Sequence, residues 1–100
     1  MTVTFRTKKL QKQFERHELA SKDFGEQVGR RYIQRIQLLR AAKSLDDVRT
    51  LPGLDCHPLK GNRAGQFAVK LTGFFRLIFS LQGGALDIIC IEEVSKHYGD

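Results

Sequence analysis

The stretch Gln66-Phe67-Ala68-Val69-Lys70-Leu71-Thr72-Gly73-Phe74-Phe75-Arg76-Leu77-Ile78-Phe79-Ser80-Leu81 decides the fold. Apolar residues fall on every second position, at Phe67, Val69 and Leu71 and again at Phe75, Leu77, Phe79 and Leu81. That is the period of strands with one buried face. Gly73 lies between the runs and predicts a hairpin turn. Matching the apolar faces pairs Leu71 with Phe75, Val69 with Leu77 and Phe67 with Phe79. A slip of one residue would set Leu71 against Arg76 and mix the faces. The matched register puts Lys70 directly across from Arg76 on the other face, where like charges repel. Either an anion lies over that face, or the side chains splay into water or meet an acid such as Asp87 or Glu93 on the next strand.

Working outward, Gln82-Gly83-Gly84 predicts a second turn and Leu86 to Val94 a third strand of the same meander. Upstream the period changes to that of a helix. Phe24, Val28, Tyr32, Ile36 and Leu39 mark one stripe, widened by Ile33 and Leu38, while Arg30, Arg31, Gln34, Arg35 and Arg40 fall elsewhere around it. Asp23, with Glu26 three residues on, is expected to cap this helix as a capping box. Lys8 to Phe14 reads as a brief helix, and Ser44-Leu45-Asp46-Asp47 opens a last helical turn that Pro52-Gly53 ends. Val3-Thr4-Phe5 reads as the first strand. The order predicts an α+β fold: an N-terminal strand and two to three helices packed on a small antiparallel sheet with a C-terminal β-meander. At 100 residues the chain is expected to form a single domain, 1–100.

The composition narrows the partners. Lys and Arg number 17 against 11 Asp and Glu, a net charge of +6. Residues 6–40 carry net +6, residues 60–80 carry Lys60, Arg63, Lys70 and Arg76 without an acid, and residues 81–100 carry net −3. Such a balance points to a polyanion or an acidic protein partner. No apolar stretch is long enough to span a membrane, and the start lacks the apolar core of a signal peptide. The two cysteines, Cys56 and Cys90, are too few for a disulfide scaffold. A reduced, cytoplasmic protein is expected.

Chemistry concentrates in Cys56-His57-Pro58-Leu59-Lys60-Gly61-Asn62-Arg63-Ala64-Gly65-Gln66, read as a polar loop entering the strand pair. His57 can exchange a proton near neutral pH. Lys60 and Arg63 can hold a phosphate. Lys96, His97 and Tyr98 could fold back over the same sheet. These are the parts of a metal-free ribonuclease: a base for the ribose 2′-OH, cations for the crowded phosphorane-like transition state, and a proton donor for the leaving oxygen. Cys56, His57, Cys90 and His97 lack metal-ligand spacing, so neither metal nor cofactor is expected. Cys90 sits in an apolar strand, where a thiol is inert packing.

The run Pro52 to Val69, continued by Leu71-Thr72-Gly73-Phe74-Phe75-Arg76-Leu77-Ile78-Phe79, resembles the plasmid-maintenance killer proteins, the HigB branch of the RelE/ParE toxin superfamily. The family pattern is His-x-Leu-Lys-Gly-x-x-x-Gly-x-(Trp/Phe)-x-Val followed by Gly-x-(Trp/Phe)-Arg-(Leu/Ile)-x-Phe, and the spacings of His57, Lys60, Gly65, Gly73 and Arg76 all hold. The resemblance implies the toxin of a type II toxin–antitoxin pair with a microbial-RNase-like fold, a ribosome-dependent endoribonuclease that cleaves mRNA in the A site. It also implies a helix-turn-helix antitoxin, HigA-like, which binds operator DNA. By position, His57 matches the catalytic histidine, Lys60 the phosphate-contacting lysine and Arg76 the transition-state arginine. Many members end the last strand in Asp-Tyr-His; this chain reads Ile91-Glu92-Glu93-Val94-Ser95-Lys96-His97-Tyr98. His97 is taken as the C-terminal catalytic group, with Glu92 and Tyr98 as other candidate donors. Arg63, Lys70, Phe75 and Tyr98 are expected to touch the nucleic acid. The ParE branch, which poisons gyrase, and a catalytically inactive binding module on the same fold are the alternatives.

Overall fold

The computed structural model describes residues 1–82 and 88–96. Strand β1 (Thr2–Phe5) leads into helices α1 (Lys8–Glu15), α2 (His17–Phe24), α3 (Glu26–Ala41) and α4 (Leu45–Thr50). Then come β2 (His57–Pro58), a single 3₁₀ turn at Gly61–Arg63, β3 (Gln66–Lys70), β4 (Phe75–Leu81) and β5 (Ile88–Lys96). The five strands form one sheet in the order β1-β5-β4-β3-β2.

The hairpin forms in the register that its alternating faces dictate: Phe67 opposite Phe79, Val69 opposite Leu77, Lys70 opposite Arg76. Leu71 N–H donates to Phe75 O at 2.9 Å and closes the pairing beyond the last ladder pair. The Phe67 and Phe79 rings stack with centroids 5.6 Å apart. The α+β class is as expected, with one pairing of a different kind: β1 runs parallel to β5, Val3 opposite Ile89, so the sheet is mixed. A β-bulge between Ile78 and Phe79 shifts the β4–β5 register, so Ile78 faces Glu93 while Phe79 faces Ile91.

The stripe on α3 is the helical half of the core. Tyr32, Ile36 and Leu39 are fully buried with Val69, Leu77, Phe79, Ile89 and Ile91 from one sheet face. Each such side chain contributes roughly 1.5–3 kcal/mol by leaving water. Tyr32 carries a polar tip into this core, and its hydroxyl donates to Leu10 O of α1 at 2.7 Å. Burial pushes the Tyr32 phenol well above its ordinary pKa, so it stays a donor.

Two local expectations are corrected. Asp23 does not cap α3. It lies inside α2, an element absent from the sequence reading, and its carboxylate accepts from Gln13 Nε2 at 2.7 Å. The break between α2 and α3 is Gly25, whose φ of 89° is a left-handed conformation that glycine adopts without strain. Glu26 opens α3 and accepts from Ser21 Oγ and Arg30 Nη2. Secondly, His57 and Pro58 are not loop: they pair with Ala68 and Phe67 as a two-residue edge strand. The helix at Leu45–Thr50 is as expected, with Ser44 Oγ accepting from Asp47 N–H. No helix is long and apolar enough to cross a membrane among the described residues.

Candidate active site

The side of the sheet away from the helices carries the charged residues. Registers place His57, Ala68, Ile78 and Glu93 in one row across β2, β3, β4 and β5, and Lys70, Arg76 and Ser95 in the next row. At about 4.8 Å between strands, His57 lies about 10 Å from β4. Ala68 and Ile78 are buried yet stand outside the main core, and they form an apolar floor. A recess of about 100 Å³ lies over this floor, lined by His57, Leu59, Arg63, Ala68, Arg76, Ile78 and Ser95. It has room for a small group such as a phosphate, not for a drug-sized ligand. Larger hollows lie elsewhere, including one of about 370 Å³ lined by His17, Arg30 and Arg31. The small recess is the better site because its Arg76 guanidinium is buried beside an apolar floor, whereas His17 and Arg30 of the larger hollow are exposed and drawn to Glu26.

His57 is oriented by its own chain. Its Nδ1 lies 2.9 Å from Asp55 O. A carbonyl oxygen only accepts, so Nδ1 carries the hydrogen and the neutral ring keeps its lone pair on Nε2, the form of a general base. Asp55 presents that carbonyl from φ 49°, the only positive φ of a non-glycine among the described residues. Aspartate is one of the few side chains that tolerate this region. Nothing in the sequence pattern had singled out Asp55 or Ser95. The first needs the local backbone to be known, and the second the β4–β5 register.

The cations are held in three different ways. Arg76 is 8 % exposed, and its Nη1 donates to Thr72 O at 2.8 Å and Phe75 O at 3.1 Å. Arg63 donates from Nε to Gln66 Oε1 at 2.9 Å and from Nη2 to Glu93 Oε2 at 2.7 Å. Glu93 thus serves Arg63, not the Lys70–Arg76 pair; Asp87 lies outside the described residues. Lys60 and Lys70 are exposed. Lys60 stands just before the 3₁₀ turn and does not line the recess. The like charges of Lys70 and Arg76 separate because Arg76 folds onto the carbonyls of its own turn while Lys70 remains in water.

The aromatic expectation shifts by one residue. Phe75 packs against the main core, as its place in the apolar alternation requires, whereas Phe74 is 60 % exposed at the hairpin tip. Phe74 is the ring that a base could reach. His97 and Tyr98 lie outside the described residues. Ser95 lines the recess and Lys96 pairs with Phe75, so the last described residues of β5 lie beside the site.

Glu92 is held as a carboxylate. Arg6 grips its carboxylate through Nε at 2.9 Å and Nη2 at 2.8 Å, and Ser80 Oγ donates at 2.6 Å. Hydrogen bonds from Arg6 above all, then from Ser80, lower its pKa from 4.5 to about 2 against the opposing effect of burial. Burial pushes the Cys56 thiol up to about 11 and raises Cys90 as well, which holds both in the thiol form. Among the described residues, no three His, Cys, Asp or Glu side chains gather as a metal site requires.

No family model and no curated protein sequence matches this chain. Solved structures do. The YoeB/ParE toxin from Agrobacterium tumefaciens superposes with a TM-score of 0.62 at 17 % identity, over 98 % of this chain and 100 % of that one. The YoeB–YefM complex from Staphylococcus aureus gives 0.63 at 13 % identity, over 98 % of both chains. YafQ from E. coli gives 0.59 at 12 % identity, over 94 % of this chain and 90 % of that one. At these identities the likeness is one of fold, and the chain has the α+β fold of the YoeB and YafQ toxins.

Proposed function

We propose that this chain, a single domain over residues 1–100, is the toxin of a type II toxin–antitoxin pair. It acts as a metal-independent, ribosome-dependent endoribonuclease that cuts mRNA in the A site. The observation that carries the reading is the recess itself, where a histidine held as its Nδ1–H tautomer faces the Arg76 guanidinium across Ala68 and Ile78. His57 Nε2 takes the proton of a ribose 2′-OH, whose oxygen attacks the adjacent phosphorus and forms a 2′,3′-cyclic phosphate. Arg76, with Arg63 beside it, stabilises the added negative charge on the phosphorus oxygens. The 5′-oxygen leaves with a proton from the C-terminal segment, to which His97 and Tyr98 belong. Lys60 and Lys70, both exposed, steer the RNA backbone, and Phe74 offers a stacking face. The HigB branch is favoured by the pattern from His57 to Phe79, and with it a HigA-like helix-turn-helix antitoxin that carries the pair to operator DNA. The complexed YoeB neighbour supports a protein partner in general. The protein works in the cytoplasm, where its ribosomal substrate is.

The test is induction of wild type, His57→Ala and Arg76→Ala from a tight promoter, with growth and primer extension followed together. Arrest with discrete in-frame mRNA cuts, lost in both variants, is expected. Arrest without cuts, retained by His57→Ala, would favour a gyrase poison, the reading that the ParE name of the Agrobacterium neighbour brings in. No arrest from folded wild-type protein would leave a binding module.

A further inference from the structure

Arg35 is an unusual place for a cation. It lies on α3 beside Ile36 and is 8 % exposed, yet no carboxylate pairs with it among the described residues. Burial and the neighbouring Arg31 charge both act to lower its pKa. An apolar side chain of similar size would ordinarily serve stability as well or better. The donors go to neutral oxygens instead: Nε to the backbone carbonyl of Lys70 at 3.0 Å, and Nη1 to the side-chain Oε1 of Gln34 at 2.6 Å. One turn earlier, Arg31 Nη1 donates to Leu71 O at 2.9 Å. These two consecutive carbonyls stand where β3 ends and the chain turns toward β4. Leu71 and Thr72 N–H both donate to Phe75 O, at 2.9 and 3.3 Å. From the opposite side, Arg76 Nη1 rests on Thr72 O and Phe75 O. An unbroken run of hydrogen bonds therefore leads from α3 through the hairpin turn to Arg76.

We propose that Arg35, assisted by Arg31, is a positioning residue: by clamping the Lys70 and Leu71 carbonyls to α3 it fixes the turn on which Arg76 is braced. The role in cleavage rests on the nuclease reading above; the clamp itself does not. No residue of α3 lines the recess, so the clamp transmits the position of the helical layer to the far face of the sheet.

Two variants and two readouts test it. Arg35→Met keeps the apolar stem and removes every donor, and Arg35→Lys keeps a charge and a single ammonium. In Arg35→Met, hydrogen exchange at the Leu71 and Thr72 amides is expected to quicken by about tenfold or more, with Leu77 and Phe79 amides unchanged. On ribosome-bound mRNA, kcat is expected to fall by about 10- to 100-fold with KM little changed, because a small misplacement of Arg76 is felt mainly in the transition state. Arg35→Lys should recover part of both. Unchanged exchange at Leu71 and Thr72 would overturn the clamp. Faster exchange there with wild-type kcat would overturn the positioning role, and so would exchange that quickens equally throughout the sheet. Wild-type protein that cuts no mRNA would instead sink the nuclease reading and the role in cleavage, and the exchange data distinguish that failure from failure of the clamp.

Discussion

Gly29→Ala puts the close approach of α2 and α3 to a quantitative test. Inside a helix this exchange ordinarily stabilises by about 1 kcal/mol. Here a Cβ on residue 29 would stand 2.8 Å from Ala20 C, 2.9 Å from Ala20 O and 2.9 Å from Ser21 N. All three are backbone atoms, so no side chain can swing away and the helices must part. Overpacking of this kind costs about 1–3 kcal/mol, and a backbone obstacle belongs at the upper end. Subtracting the propensity gain leaves a net loss of about 2 kcal/mol. For a domain of 100 residues that lowers Tm by about 10 °C. The loss is read from urea denaturation followed by circular dichroism, as a lower midpoint at unchanged slope. Because α3 also carries Arg31 and Arg35, the displacement should reduce mRNA cleavage at temperatures where the variant is still folded. A Gly29→Ala protein as stable as wild type, or more so, would refute the reasoning, since propensity alone would then have decided the outcome.

Glu92→Gln should cost about 1.5–3 kcal/mol, the worth of charge-assisted hydrogen bonds to Arg6 and Ser80, yet leave the pH–rate profile of cleavage unchanged. The folded carboxyl titrates near 2, below its usual 4.5, so this stabilisation is complete above about 4.5 and is lost as pH falls toward 2. Denaturation midpoints measured between those limits should fall more steeply for wild type than for Glu92→Gln. At Asp55 the backbone carbonyl, not the side chain, holds His57, so Asp55→Gly should keep cleavage and stability. Asp55→Val, a β-branched residue at φ 49°, should lose about 1–2 kcal/mol and much of the activity, as thermal melts and cleavage assays would report. Phe74→Ala should change stability by less than about 0.5 kcal/mol. Phe75→Ala should cost about 2 kcal/mol, below the 3–5 of a fully buried ring; equal melting curves for the two would contradict their assignment to opposite sides of the hairpin.

How much could be read in advance depended on whether one periodicity held long enough. The β3–β4 register was legible because seven alternating apolar positions admit one match, and Lys70 opposite Arg76 follows from it. The α3 stripe was legible for the same reason. The missed helix α2 buries fully only Ala20 and begins after Arg16, which gives no side-chain cap, so neither stripe nor start signal marks it. Strand β2 is two residues long, too short for any period, and its existence depends on the edge that β3 leaves open. The parallel partner of β1 is a tertiary choice, written in the packing of the whole helical layer and not in Thr2–Phe5. For the site, residue types and spacing brought forward His57, Arg63 and Arg76, whereas which ring nitrogen of His57 is free depends on one carbonyl that Asp55 turns toward it.

The same layering accounts for why the cations of the recess are not equivalent. Alternation sends every second residue of β3, β4 and β5 toward the core, so around the recess the opposite face carries what the intervening positions supply: Ala68, Lys70, Arg76, Ile78, Glu93 and Ser95. Glu93 then neutralises Arg63 at 2.7 Å, which leaves that guanidinium as a fixed wall more than a mobile charge. The hydrogen bonds from Arg76 Nη1 run to backbone carbonyls, which orient a guanidinium without cancelling its charge. Arg63 is thus committed to a carboxylate, while Nη1 of Arg76 is oriented by backbone carbonyls. In the proposed cleavage a guanidinium oriented in advance by backbone dipoles would stabilise the developing dianionic phosphorane without having to be reoriented first. Under the proposed nuclease reading, Arg63 chiefly shapes the recess and Arg76 is the arginine expected to meet the transition state, a division that cleavage by Arg63→Lys and Arg76→Lys would test.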